Sequence, residues 1–269
     1  MYSLPTEPGS IGHTLDAGFK LYFVSFKRVL VLSILAALSL AVPMLAVVLA
    51  IPMLEGGAQA PGNAFIAVLA VGVLVVVSLY LWFYIAAMCR IGGIAHGQNL
   101  TLGACLSTGL RRLIPVILAS LLYGLAMMGG MILFIIPGMI LWLSLAFYTL
   151  CIVLEGDGIL ESLRHSHRLV WGNWWRTATI GTVVFVIYYV IYLAIEIPFA
   201  VVDQIVFESE PGDLAGFAQV MLSLLGSTLS TVVTFPLMTS VFVAVFHDLK
   251  LRKEGHDLEA RVEALTASA

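Results

Sequence analysis

Charged residues are scarce in this sequence. Asp, Glu, Lys and Arg make up 11% of its 269 residues, whereas 61% of the residues are hydrophobic. Soluble domains carry about 25% charged residues, and a water-soluble core cannot absorb this much apolar surface. The composition therefore excludes an ordinary soluble domain and predicts an integral membrane protein.

Cysteine is scarce as well, and the N-terminal segment lacks the features of a secretory signal peptide. Cys89, Cys105 and Cys151 have neither paired metal-ligand spacing nor an even count. Pro5 and Asp16 interrupt residues 1–28, and no small-residue cleavage site follows a short apolar core. We expect the first apolar segment to remain in the mature protein. The three thiols should stay reduced near the cytoplasmic surface.

Motifs for catalysis and for metal or nucleotide binding are missing. The sequence contains no nucleophile elbow, phosphate-binding loop, His-Glu-x-x-His or paired-cysteine spacing. His165 and His167 are two residues apart, so about 200° separates them around a helix. We therefore expect a protein that is not an enzyme, with no metal, cofactor or nucleic-acid partner. A lipid-modifying enzyme ranks last, and its candidate residues would be His13, His96, His165, His167, His247, His256, Asp157, Glu161 and Asp248.

Long apolar runs, in contrast, fill most of the chain. Each should be a helix, because backbone exposed to lipid must satisfy its own hydrogen bonds, and no run alternates like a barrel strand. Crossing a bilayer core of about 30 Å takes roughly 20 residues. The sequence therefore predicts an all-α integral membrane protein with six transmembrane helices, over residues 29–54, 65–89, 113–136, 138–154, 177–200 and 218–246.

The boundary between the third and fourth runs is the least defined. Only Gly129-Gly130 and Pro137-Gly138 interrupt the apolar stretch. We place the hairpin turn at Pro137-Gly138, because proline suits the first turn of a helix. The fourth span is then short, at about 17 residues. A re-entrant hairpin over residues 113–154 is the alternative, and the sequence leaves both open.

The basic residues lie on one side only. All 13 Lys and Arg residues fall in the N-terminal segment, the second and fourth connections or the C-terminal tail. The loops 55–64 and 201–217 contain no Lys or Arg. By the positive-inside rule the basic side is cytoplasmic, so both termini are predicted to be cytoplasmic. The acidic residues of the other side are Glu55, Asp203, Glu208, Glu210 and Asp213.

An amphipathic segment precedes the first, third and fifth runs. Residues 11–20 and 102–111 share apolar, glycine and basic positions, and residues 159–168 keep Ile159, Leu163 and Arg168. The pattern predicts one polytopic membrane domain over residues 1–269, built from three units of cytoplasmic interfacial helix plus helical hairpin. The units span about 10–89, 101–154 and 157–247, and residues 248–269 form a short cytoplasmic tail.

Basic residues on and beside these segments are candidates for binding lipid headgroups. In the third segment apolar residues recur at helical spacing, while Arg164 and Arg168 fall elsewhere around the helix, as in helices that lie in the headgroup plane. The alternative is that the basic residues only enforce topology and anchor the hairpins. The candidates are Lys20, Arg111, Arg112, Arg164, Arg168 and Arg176.

Polar residues within the apolar runs are candidates for a transport path. Glu196 is the only acidic residue well inside a run, and intramembrane ionisable groups are functional candidates by default. Ser227, Thr231 and Thr234 recur at helical spacing in the sixth run. Such hydroxyls more often pack helices together and satisfy backbone groups freed by proline, here Pro236. A small-solute or ion transporter is therefore the runner-up hypothesis.

Short motifs around the fourth and fifth runs resemble a bacterial family. They are Ile136-Pro137-Gly138, Leu154-Glu155-Gly156, Glu161-Ser162-Leu163-Arg164 and the stretch 168–176, RLVWGNWWR. In these motifs the chain resembles the glycerophosphodiester phosphodiesterase membrane-domain family and the related YciC-type inner-membrane proteins. Fused members of that family carry their hydrolase in a separate soluble domain, whereas here only short loops and terminal segments lie outside the spans. The resemblance therefore implies a bacterial inner-membrane module without the enzyme.

These observations together predict a non-enzymatic, multi-pass protein of the bacterial inner membrane. The repeated basic segments favour a role that is coupled to anionic lipids or to a partner membrane protein, for example in envelope maintenance.

Overall fold

The computed structural model describes residues 3–55, 63–207 and 213–267, and side chains within residues 3–41, 70–206 and 216–255. The described residues form seven helices and no strand. They are α1 (Ile11–Glu55), α2 (Asn63–Ala95), α3 (Leu102–Leu133), α4 (Ile135–Glu155), α5 (Ile159–Val170), α6 (Trp174–Phe207) and α7 (Asp213–Ala267). The predictions on Glu55, Glu208, Glu210, Asp213, His256 and Arg261 concern side chains outside the described part.

Six of these helices, all but α5, are long and apolar enough to cross a membrane. The all-α class and the multi-pass character predicted from composition are therefore confirmed. Helix α4 is less regular than the others, because it is α-helical over Ile135–Ser144 and Tyr148–Leu150 and ends as a π-helix over Cys151–Glu155.

The turn between α3 and α4 lies at Phe134, so its prediction at Pro137-Gly138 is wrong. Phe134 is extended, with φ −164° and ψ 151°, and it separates the two helices. Pro137 falls in the first turn of α4, where its missing N–H leaves no helical hydrogen bond unmade. Helices α3 and α4 are in direct contact. Gly130 packs against Gly138, and the hydroxyls of Ser120 and Tyr148 form a 2.7 Å hydrogen bond.

Only one of the three amphipathic segments forms a helix of its own. Residues 11–20 and 102–111 are the first turns of α1 and α3, which continue without a break into the apolar runs. Residues 159–168 do form a separate helix, α5, because Gly156 and Gly172 at its two ends adopt positive φ of 85° and 96°. Residues 248–267 of the predicted C-terminal tail continue helix α7, which runs to Ala267.

Helices α1, α6 and α7 define the two ends of the bundle. Helix α1 packs along α7, where a Cβ on Gly18 would lie 3.0 Å from Val241 Cα. Helices α6 and α7 run antiparallel: Arg176 meets Asp248 near one end, and Gln219 donates a 3.1 Å hydrogen bond to Asp203 near the other. We call the first the basic end and the second the opposite end.

Candidate functional site

The basic end is fastened by contacts between distant segments. Arg28 donates a 2.8 Å hydrogen bond to Asn99, which joins α1 to the connection after α2. Lys250 pairs with Glu155 at 2.9 Å and so joins α7 to the end of α4. The one-sided basic pattern of the sequence thus corresponds to one physical end of the described bundle.

A buried carboxylate, Asp248, organises this end. Asp248 is 6% exposed and accepts hydrogen bonds from the Gly9 N–H at 3.0 Å, from Arg176 Nη2 at 3.0 Å and from Arg252 Nε at 3.0 Å. Arg176 also donates to the Gly9 carbonyl and to Thr14 Oγ1. These contacts, the Asp248 junction, tie the start of α1 to α6 and α7.

The junction changes the role assigned to Arg176. The sequence offers it as a headgroup ligand, but its side chain is 17% exposed, and its Nε and Nη2 groups donate to protein acceptors. An arginine held in this way fixes helix positions and has little capacity left for an outside anion. The sequence offers Asp248 only as a candidate of a lipid-modifying enzyme and does not reveal this junction, because Arg176 and Gly9 are 72 and 239 residues away.

The other basic candidates differ in how free they are. Lys20 pairs with Asp16 one turn earlier, at 2.7 Å on the surface. Arg112 donates a long, 3.4 Å hydrogen bond to the Gly156 carbonyl. Among the described residues, Arg111, Arg164 and Arg168 are exposed and make no ion pair or hydrogen bond. These three are therefore available to an anion from outside the chain.

Arg164 and Arg168 border a cleft between α4 and α5. The cleft has a volume of about 870 Å³ and an apolar wall formed by both helices. A charged rim beside an apolar wall matches an amphiphile with an anionic head. We call it the α4–α5 cleft; it is lined by Leu141, Leu145, Leu160, Leu163, Glu161, Arg164, His167 and Arg168.

Helix α5 is held against α4 by one buried hydroxyl. Ser166 Oγ donates to the Ser144 carbonyl at 2.8 Å and accepts from the Phe147 N–H at 3.1 Å. These two backbone groups lie where α4 is interrupted, so the hydroxyl replaces helical hydrogen bonds that the interruption leaves unmade. The wall of the cleft is thereby fixed in position.

The transport candidates are not gathered in one place. Thr231 and Thr234 line a cavity of about 420 Å³ between α2, α4, α6 and α7, together with Tyr80, Tyr84 and Tyr188. Both threonine hydroxyls donate to carbonyls of their own helix. Ser227 also bonds within its helix, to the Leu224 carbonyl, and does not line the cavity. Glu196 lies apart, against Gly226 near the opposite end.

Within the described part of the chain, one group of side chains could hold a metal ion. The ligand atoms of Cys151, Asp157 and His165 lie within 4.8 Å of one another, and His165 Nδ1 is 2.6 Å from Asp157 Oδ2. That short distance is a hydrogen bond, which pairs His165 Nδ1 with Asp157 Oδ2. The π-helical turn brings Cys151 to this position, a proximity that linear spacing does not show. The absence of a metal site stays a prediction.

Helices of membrane-spanning length and a fastened basic end define a multi-pass α-helical membrane protein. The chain belongs to the family described as a domain of unknown function, DUF7847, whose model matches residues 91–249, more than half of the 269 residues. The match includes α3 to α6 and both Arg176 and Asp248. No curated protein and no solved structure matches the chain. The family shown is thus DUF7847, and the resemblance to the glycerophosphodiester phosphodiesterase membrane domain stays an expectation.

Proposed function

We propose that this protein is a non-enzymatic membrane protein that binds anionic phospholipids at its basic end. The observation that carries the proposal is the α4–α5 cleft, where the unpaired Arg164 and Arg168 adjoin an apolar wall. A headgroup phosphate would bind the guanidinium groups, while an acyl chain would lie along Leu141 and Leu145. Each basic residue near an anionic surface contributes about 1 kcal/mol to attraction.

The orientation and location follow the same argument. The basic end would face the cytoplasm, with both termini on that side, in a bacterial inner membrane. The three hairpin units would be related as repeats, although only the third has its interfacial segment as a separate helix. A membrane protein that recognises the same basic end is a further partner that this arrangement would accommodate.

Photo-crosslinking with lipids tests the proposal. A phosphatidylglycerol with a photoreactive acyl chain should crosslink to residues 136–145 and 159–170, and a phosphatidylcholine analogue should crosslink much less. Replacing Arg111, Arg112, Arg164 and Arg168 with glutamine should remove the difference between the two lipids. Equal crosslinking by both lipids in the wild type would contradict the proposal.

A small-solute transporter is the second candidate, supported by the tyrosine- and threonine-lined cavity. If the chain conducts solutes or ions through it, liposomes that contain the protein should show flux, and Thr234→Val should reduce that flux. Glu196→Gln should act on flux only if the path continues to the opposite end. We expect no flux, because the threonine hydroxyls are already bonded within their helix.

A further inference from the structure

The α3–α4 hairpin ends in an exposed apolar tip. The five consecutive residues Ile132 to Ile136 are each 71% to 82% exposed. No Asp, Glu, Lys, Arg or His occurs between Leu113 and Leu154, so no charged residue lies near the turn in the sequence. An exposed apolar surface of this kind marks a contact with lipid or with another protein.

The tip lies near the basic end of the bundle, not near the opposite end. Ile136, Met139 and Ile140 line a cleft of about 690 Å³ together with residues 171–176 at the start of α6. Arg176, in that stretch, is the partner of Asp248 in the junction. The opposite end, at Asp203, is 27 residues further along α6, about 40 Å at 1.5 Å per residue.

The other end of α4 is fastened to the same end of the bundle. Glu155 pairs with Lys250, which lies within one turn of Asp248 on α7. Helix α4 has 21 residues, about 30 Å if it were straight, so a crossing orientation would place its two ends at opposite ends of the bundle. Both ends of α4 instead lie near the basic end of the bundle. This placement is incompatible with a helix that crosses the bilayer.

Helix α4 is interrupted where it packs against α7. Its helical pattern is interrupted between Ser144 and Tyr148, and Phe147 there packs against Phe242 and Phe246 of α7. Ser166 forms hydrogen bonds with the freed backbone groups at this interruption. Irregular backbone at membrane depth is tolerated only where protein buries it and satisfies its polar groups.

We infer that the α3–α4 hairpin does not cross the bilayer but inserts its tip among the acyl chains of the leaflet on the basic side. Length and composition would allow six crossings; in this arrangement α1, α2, α6 and α7 cross. Helix α5 then lies on the water side of the hairpin, with Arg164 and Arg168 at headgroup level. Trp171 and Trp175, 58% and 80% exposed, lie beside the tip as an interfacial belt.

Cysteine accessibility tests this inference independently of lipid charge. Phe134→Cys removes little packing, since Phe134 is 73% exposed, and the three native cysteines are buried. In phosphatidylcholine vesicles of known orientation, a membrane-impermeant maleimide should label this variant from neither side and should label it after detergent is added. Gln204→Cys and Lys253→Cys serve as controls, each accessible from one side only.

Two outcomes would overturn the inference. Labelling of Phe134→Cys from the side that labels Gln204→Cys would show that the hairpin crosses the membrane. Labelling in intact vesicles from the side and at the rate of Lys253→Cys would show that the tip lies in water. Because the vesicles carry no anionic lipid, neither result depends on whether the α4–α5 cleft binds anionic headgroups.

Discussion

Replacing Asp248 with alanine should lower the free energy of unfolding by about 3–5 kcal/mol, the cost of removing one partner from a buried ion pair. The carboxylate is 6% exposed, and its loss would leave Arg176 with no counter-charge and the Gly9 N–H with no acceptor. Arg252 would lose its Asp248 contact as well. We expect α1 to loosen from α6 and α7 at the basic end.

The measurement is unfolding in detergent micelles, by temperature and by titration with a denaturing detergent. Glu254→Ala is the matched control, because it removes a carboxylate from the same helix where the side chain is 59% exposed and 4.0 Å from Lys250. Exposed pairs of that kind contribute little to stability. The same unfolding midpoint for both variants would show that the Asp248 junction does not hold the bundle together.

Replacing Gly130 with alanine should destabilise the protein by about 1–3 kcal/mol, the typical cost of overpacking. A Cβ at this position would lie 3.0 Å from Gly138 Cα, so α3 and α4 would have to separate. Gly138→Ala should act in the same direction, because its Cβ would lie 2.9 Å from the Met131 nitrogen.

The neighbouring glycine supplies the control for this prediction. A Cβ on Gly129 would meet nothing within 4 Å, and alanine is a better helix former than glycine. Gly129→Ala should therefore leave stability unchanged or raise it, in the same unfolding titration. If the two variants were equally stable, the close pairing of α3 and α4 at Gly130 would be wrong.

Composition and charge distribution were sufficient to predict the all-α class, because spanning helices must satisfy their own backbone and only apolar runs tolerate lipid. The helix ends were harder. Residues 11–20 and 102–111 have amphipathic patterns typical of interfacial helices, yet they continue into α1 and α3 without a break. Of the three segments, only residues 159–168 lie between two glycines of positive φ, Gly156 and Gly172, and a sequence does not reveal the φ of a glycine.

The sequence identifies the basic candidates but not the contacts that each of them makes. Arg164 and Arg168 are exposed and unpaired in the described part of the chain, as a headgroup ligand requires. Arg176 is also an arginine at the basic end, but it is paired with Asp248, a contact that tertiary packing determines. The sequence places the turn at Pro137-Gly138 and not at Phe134. A proline does not mark the turn itself, because it is equally acceptable in the first turn of the helix that follows.

The most direct test of anionic-lipid binding is native mass spectrometry of gently extracted protein. The Arg164→Gln/Arg168→Gln variant lacks two basic residues of the cleft. It should bind anionic phospholipid more weakly by about 2 kcal/mol, roughly 30-fold. Lys27→Gln/Lys253→Gln removes the same charge from exposed positions outside the cleft and should retain the lipid. Equal retention by the wild type and both double variants would contradict the binding of anionic lipid by Arg164 and Arg168.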